Sequence, residues 1–254
     1  MHKPLDIKHK NVKIITVIQM IKNILFDLDG TLLPMNEVKF TKAYFSLLAK
    51  TVAPLGYEPE KLTDTVWKGT AAMYKNDGSV TNEQAFWREF GNIYGEKGLS
   101  DKPAFDEFYK TEFQNARSAC GFNEKADKTV KALKRQGYNL VIATNPIFPK
   151  VATASRIKWA GIDKNDFLLF TAYEDSHFCK PNLNYYKEIL EKTGLKAEEC
   201  LMVGNDVGED MVAAKLGMKV FLMPDCLINK TGADITQYPR GGFDELLNYI
   251  EKLN

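Results

Sequence analysis

Four short segments of the 254-residue chain hold side chains whose types and spacing could do chemistry. Asp27-Leu28-Asp29-Gly30-Thr31 follows the apolar run Ile24-Leu25-Phe26, and Thr144-Asn145-Pro146 follows Tyr138–Ala143. Lys180 stands before Pro181, and Gly204-Asn205-Asp206, with Asp210 four positions on, follows Cys200–Val203. In an open parallel sheet a ligand binds beyond the carboxyl ends of the strands, so these segments are expected at one edge. Carboxylates crowded there repel and raise one another's pKa unless a cation holds them. A few hard oxygen donors suit Mg²⁺, which keeps several waters and binds phosphate at the same time. An extended backbone turns Asp27 and Asp29 to the same side, and Gly30 permits the tight turn that follows. An aspartate is a competent nucleophile toward phosphorus, where an acyl-phosphate forms and is then hydrolysed.

The elements that must position these groups are legible as alternating periods. Strands are expected at Ile24–Phe26, Tyr138–Ala143, Phe167–Thr171, Cys200–Val203 and Lys219–Met223, and unbroken apolar runs mark strands covered on both faces. Between them lie helical patterns: Asp127–Arg135, Lys150–Ala160, a helix opened by Pro181 and closed by Gly194, Glu209–Leu216, and a last one carrying Phe243 to Leu253. Residues 34–118 show helical spacing and no convincing strand. Phe40, Tyr44, Leu47 and Leu48 recur on one face; Leu62, Val66 and Met73 continue; Thr81 and Gln84 form a capping box; Asp101 is expected to cap a fourth helix. The fold class is therefore α/β, a Rossmann-like parallel sheet core with an inserted all-helical cap. The expected organisation is an N-terminal extension over 1–19, a core made of 20–33 and 119–254, and a helical cap over 34–118. Within the cap Trp67 and Trp87 read as packing residues and Lys68 and Arg88 as solvated charges, while His177 reads as a loop histidine.

Taken in order, Asp27-Leu28-Asp29-Gly30-Thr31-Leu32, Ala143-Thr144-Asn145, Lys180-Pro181 and Gly204-Asn205-Asp206 with Asp210 resemble the four motifs of the haloacid dehalogenase-like (HAD) hydrolase superfamily, in the subgroup with a helical cap after the first motif. The resemblance implies Asp27 as the nucleophile that forms an aspartyl-phosphate and Asp29 as the general acid and base. It implies Mg²⁺ held by Asp27, the backbone carbonyl of Asp29 and Asp206. Thr144 and the amide of Asn145 would bind phosphoryl oxygens, Lys180 would balance their charge, and Asp210 would orient a metal-bound water or Lys180. The fourth motif departs from its usual form in having Asn205 before Asp206, and Glu209 competes with Asp210 for the supporting role. An acid at position 29 favours phosphoryl over halide chemistry. The implied activity is a Mg²⁺-dependent phosphatase acting on a small phosphorylated metabolite, with a phosphosugar mutase and a non-enzymatic binding protein on the same fold as alternatives.

Composition narrows the class without pointing to the chemistry. Thirty-four Lys and Arg against 33 Asp and Glu leave a net charge of +1, too even for a nucleic-acid or anionic-membrane binder. No apolar run reaches the ~18 residues of a membrane span, so a soluble, cytoplasmic protein is expected. The cysteines, Cys120, Cys179, Cys200 and Cys226, form no Cys-x-x-Cys pair and the histidines never cluster, so free thiols are expected rather than a zinc site.

Overall fold

A computed structural model describes residues 20–254, so the extension expected over 1–19 lies outside the described residues. Five parallel strands form one sheet in the order β3-β2-β1-β4-β5, with β1 (Asn23–Phe26) at its centre. β1 lies between β2 (Asn139–Ile142) and β4 (Cys200–Gly204), and β3 (Leu169–Phe170) and β5 (Lys219–Leu222) form the edges. The register aligns Phe26 with Ile142 on one side and with Val203 on the other. The next residues of all three strands, Asp27, Ala143 and Gly204, are thereby brought level.

The apolar runs behave as their composition requires. Successive side chains of a strand face opposite ways, so Ile24 and Phe26 enter one core with Leu140, Ile142, Leu201 and Val203. Leu25, Val141 and Met202 enter a second core on the other face. Helices α5 (Glu124–Arg135), α6 (Lys150–Trp159) and α8 (Phe243–Leu253) cover the first face. Helix α7 (Leu183–Thr193) and a 3₁₀ helix, Met211–Leu216, cover the second.

Between β1 and β2 the chain is helical: α1 (Glu37–Val52), α2 (Pro59–Tyr74), α3 (Asn82–Ser100), α4 (Lys102–Lys110) and the 3₁₀ segments Ala53–Leu55 and Glu112–Ala119. The two chain crossings into this segment are clamped by a Met35–Cys120 bridge and by the Gly121 amide on the Pro34 carbonyl at 2.7 Å. Thr81 caps α3 as its spacing requires, its hydroxyl accepting from the Gln84 amide at 3.2 Å while Gln84 Oε1 accepts from the Thr81 amide at 3.0 Å. The N-terminus of α3 is also tied to the sheet side of the molecule. The Asn82 amide donates to the Ser176 carbonyl, the Glu83 amide donates to the Tyr173 carbonyl, and the buried Asn82 side chain donates to the Pro146 carbonyl.

Three local expectations are corrected. Asp101 precedes α4 but caps nothing with its side chain, because Lys97 Nζ at 2.6 Å and the Tyr57 hydroxyl at 2.9 Å take its carboxylate. Pro181 does not open α7; Asn182 does, its Oδ1 accepting from the Asn184 amide at 2.9 Å. The helix expected over Glu209–Leu216 is a 3₁₀ helix starting at Met211. Here side chains satisfy the amides that a longer helix would leave open. Asp206 Oδ1 accepts from Gly208 and Glu209, and Asp210 Oδ2 accepts from Asp206. Cys179 and Cys200 are buried and Cys120 and Cys226 half-buried, all as free thiols. Among the described residues no helix is long and apolar enough to cross a membrane.

Candidate active site

Asp27 is the first residue past β1, and its amide still donates to the Val203 carbonyl of β4, which fixes the backbone from which its side chain projects. The next residues close a tight turn, with the Leu33 amide on the Leu28 carbonyl and the Gly30 amide on the Leu33 carbonyl, both at 2.8 Å. Gly30 sits at φ 91°, and a Cβ there would stand 2.3 Å from Asn205 Nδ2, so both the backbone conformation and the space exclude a larger residue.

The Asp27 carboxylate is nearly buried and held at both oxygens. Oδ1 accepts from Lys180 Nζ at 2.9 Å, and Oδ2 lies 3.2 Å from the Thr31 hydroxyl. Lys180 is 1 % exposed and also donates to Asp210 Oδ1 at 2.6 Å. Burial by itself would lower its pKa; Asp210 and then Asp27 outweigh that and hold the ammonium well above its ordinary value. Asp210 in turn closes the loop through the Asp206 amide. Its carboxylate occupies the space a Cβ at Gly204 would need, the Oδ2 being 2.0 Å from that position. Asn205, the departure in the fourth motif, has a structural use. Its Oδ1 accepts from Thr31 at 3.0 Å and its Nδ2 donates to the Cys226 carbonyl at 2.7 Å, tying the first and fourth motifs to the loop after β5.

Asp29 points to a different partner, Arg156 of α6. The guanidinium Nη1 pairs with Asp29 Oδ2, Nη2 donates to Thr153 Oγ1 at 3.1 Å, and the group lies 4.6 Å from the centre of the Phe148 ring. Arg156 is 1 % exposed. Burial pushes the Asp29 carboxyl up to about 6, with Arg156 pulling against it and Asp27 adding to the rise. The other oxygen, Oδ1, is buried and has no hydrogen-bond partner among the described residues. Arg156, paired with Asp29, belongs to none of the four motifs. It stands 127 positions from Asp29, in α6.

These groups open on one cavity of about 310 Å³ between the carboxyl end of the sheet and the helical segment. Asp27, Asp29, Thr144, Asn145, Asp206, Glu209, Asp210 and Arg156 line it. Lys180 does not; it stands behind Asp27. Asn145 Nδ2 donates to the Tyr74 hydroxyl and to Glu209 Oε2, which places Glu209 on the cavity wall while Asp210 holds Lys180. Trp67, read as a packing residue, is half exposed and lines the cavity; Trp87 is buried as expected and also reaches it. Lys68 and Arg88 are exposed as expected.

A divalent cation at this edge would meet hard oxygen donors, with Asp27 and Asp206 projecting from neighbouring strands into the same cavity. Among the described residues no three His, Cys, Asp or Glu side chains are grouped to hold an ion unaided. Such a donor set fits Mg²⁺, which takes one or two carboxylates and completes its shell with water and phosphate.

The chain matches the haloacid dehalogenase-like hydrolase family over residues 21–217 and belongs to it; it is an enzyme of that hydrolase family. It is 25% identical over 228 residues to a glyceraldehyde 3-phosphate phosphatase of Methanothermobacter thermautotrophicus, covering 85% of this chain and 95% of that one. To a phosphoglycolate phosphatase of Vibrio parahaemolyticus it is 28% identical over 202 residues, 78% of this chain and 80% of the other. Among solved structures the fold is shared with a 2-haloacid dehalogenase from Pseudomonas syringae at a TM-score of 0.64 and 18% identity, covering 92% of this chain and all of that one. A HAD phosphatase from Thermococcus onnurineus has a TM-score of 0.57 and 19% identity, with 91% and 98% covered.

Proposed function

We propose that this enzyme is a Mg²⁺-dependent phosphatase that hydrolyses a small phosphorylated metabolite through an aspartyl-phosphate on Asp27, with residues 34–118 as a cap over the site. The observation that carries the proposal is the division of labour between two carboxylates two residues apart. Asp27 is ion-paired to a buried lysine, whereas burial lifts Asp29 and leaves one of its oxygens without a partner among the described residues. A carboxyl raised by burial can carry the proton for a leaving group while its ion-paired neighbour serves as nucleophile. Kinship with enzymes named as phosphatases supports the same reading.

In the first step an Asp27 oxygen attacks phosphorus, the bond from phosphorus to the ester oxygen breaks, and protonated Asp29 delivers its proton to that departing oxygen. In the second, Asp29, now a carboxylate, removes a proton from water as the water oxygen attacks phosphorus. The Asp27–phosphorus bond then breaks, and both residues return to their starting states. Thr144 and the Asn145 amide bind the phosphoryl oxygens, and Lys180 orients Asp27 through their ion pair. Asp27, the Asp29 carbonyl and Asp206 would hold Mg²⁺, which supplies charge neutralisation to the transferring group. A cap over the site excludes bulk water and large partners.

The test is phosphate release from an aryl phosphate with Mg²⁺, with EDTA, and with Asp27→Asn. Release that needs the metal and disappears in the variant is expected; release that survives Asp27→Asn removes the assigned nucleophile.

A further inference from the structure

The geometry points to a substrate whose alcohol carries a flat aromatic ring and, beyond its phosphate, no second anionic group; this rests on the phosphatase reading above. Eleven of the 28 residues that line the cavity are aromatic. Those contributed by the helical segment include Phe45, Trp67, Phe86 and Trp87. Trp67 leans on Phe45 with ring centroids 5.5 Å apart and keeps half of its surface open. The phenols deeper in the wall are turned on other protein groups, Tyr44 on Tyr109 at 2.8 Å and Tyr173 on the Trp87 indole at 3.5 Å. Burial raises the Tyr44 pKa to about 12, so this phenol stays neutral at working pH.

The charges point the same way. No lysine or arginine of residues 34–118 lines the cavity. Among the described residues its cations are Arg156, already paired with Asp29, and Lys230, an exposed residue of the loop after β5. Glu37 and Glu209 add negative charge to the wall. Apart from the exposed, solvated Lys230, a substrate carboxylate or second phosphate would leave water beside these carboxylates with no unpaired cation among the described lining residues, which is costly. A ring exchanges water for aromatic faces at no such cost, in offset or edge-on packing. A cavity of about 310 Å³ is at the small end of the size of small-molecule sites and accommodates one ring beside a phosphate.

The experiment compares benzyl phosphate, ethyl phosphate and phosphoglycolate with the full-length enzyme and Mg²⁺. All three are esters of alcohols, so the comparison avoids an activated phenol leaving group. The expected kcat/KM for benzyl phosphate exceeds that for each of the others by about tenfold or more. Trp67→Ala is expected to remove most of that margin while leaving ethyl phosphate within about twofold, and Trp67→Phe to keep it. Trp67 is half exposed, and a thermal melt verifies that each variant is folded. Phosphoglycolate turned over as well as benzyl phosphate, or a Trp67→Ala loss equal for benzyl and ethyl esters, overturns the ring proposal and leaves the phosphatase reading standing. No hydrolysis of any ester, with an aryl phosphate also untouched, overturns the phosphatase reading and the ring proposal with it.

Discussion

Asp29 is pulled in two directions: burial lifts its pKa to about 6, and the Arg156 guanidinium opposes the rise. If its protonated form drives the first step, kcat/KM falls as pH rises through that value. Replacing Arg156 with Met removes the lowering influence, so the falling limb is expected to move to higher pH, which a pH–rate profile of the variant against the wild type reads directly. The same change is expected to lower kcat/KM by about 10–100-fold, the usual effect of losing a residue that orients a reacting group. Asp29→Asn is expected to lower kcat by about 10²–10⁴-fold while Mg²⁺ affinity, measured by calorimetry, stays close to wild type, because the assigned metal contact is main-chain. Lost metal affinity would count against that assignment. Asp27, Thr144 and Asp206 were legible because each closely follows a recognisable apolar run, and Lys180 because it precedes Pro181. Arg156 was not, since nothing in a helix segment such as Ser155-Arg156-Ile157 says that its guanidinium will be buried against a carboxylate from a distant strand.

At the scale of elements, the loop after β4 shows why the local pattern misled. Glu209–Leu216 has helical spacing, but Asp206 and Asp210 use their carboxylates on nearby amides, and the helix starts late and in 3₁₀ form. The same arrangement puts Asp210 against Gly204 and beside Lys180. Gly204→Ala must displace that carboxylate. The expected result is a loss of about 1–3 kcal/mol in stability by denaturant titration, together with a sharp fall in turnover as Lys180 loses a partner. Unchanged stability would mean that Asp210 yields at no cost. The capping box at Thr81 was readable because capping depends on residues three apart. The Asp101 cap failed because Lys97, one turn earlier in α3, and Tyr57, 44 positions away, compete for the same carboxylate.

For the whole molecule, alternation of strand and helix was enough to establish a parallel sheet. The runs at Ile24–Phe26 and Cys200–Val203 marked strands buried on both faces, whereas the run at Phe167–Thr171 yields only the two half-buried residues of β3. Sequence periodicity could not show how the helical segment docks, because that depends on contacts such as the buried Asn82 side chain on the Pro146 carbonyl. Asn82→Ala strands that carbonyl and is expected to cost about 1–3 kcal/mol in stability and to raise KM more than it lowers kcat, as a segment that seats the substrate loosens. A thermal melt and steady-state kinetics separate the two effects; an unchanged KM would place the helical segment outside substrate binding.

The central claim is that Asp27 carries the phosphoryl group. A single turnover with enzyme in excess, quenched in acid and digested for mass spectrometry, reads it most directly. The expected result is a phosphoryl adduct on the peptide containing Asp27, formed and lost at rates that account for turnover. Turnover with no adduct, or an adduct on another side chain, would contradict the account.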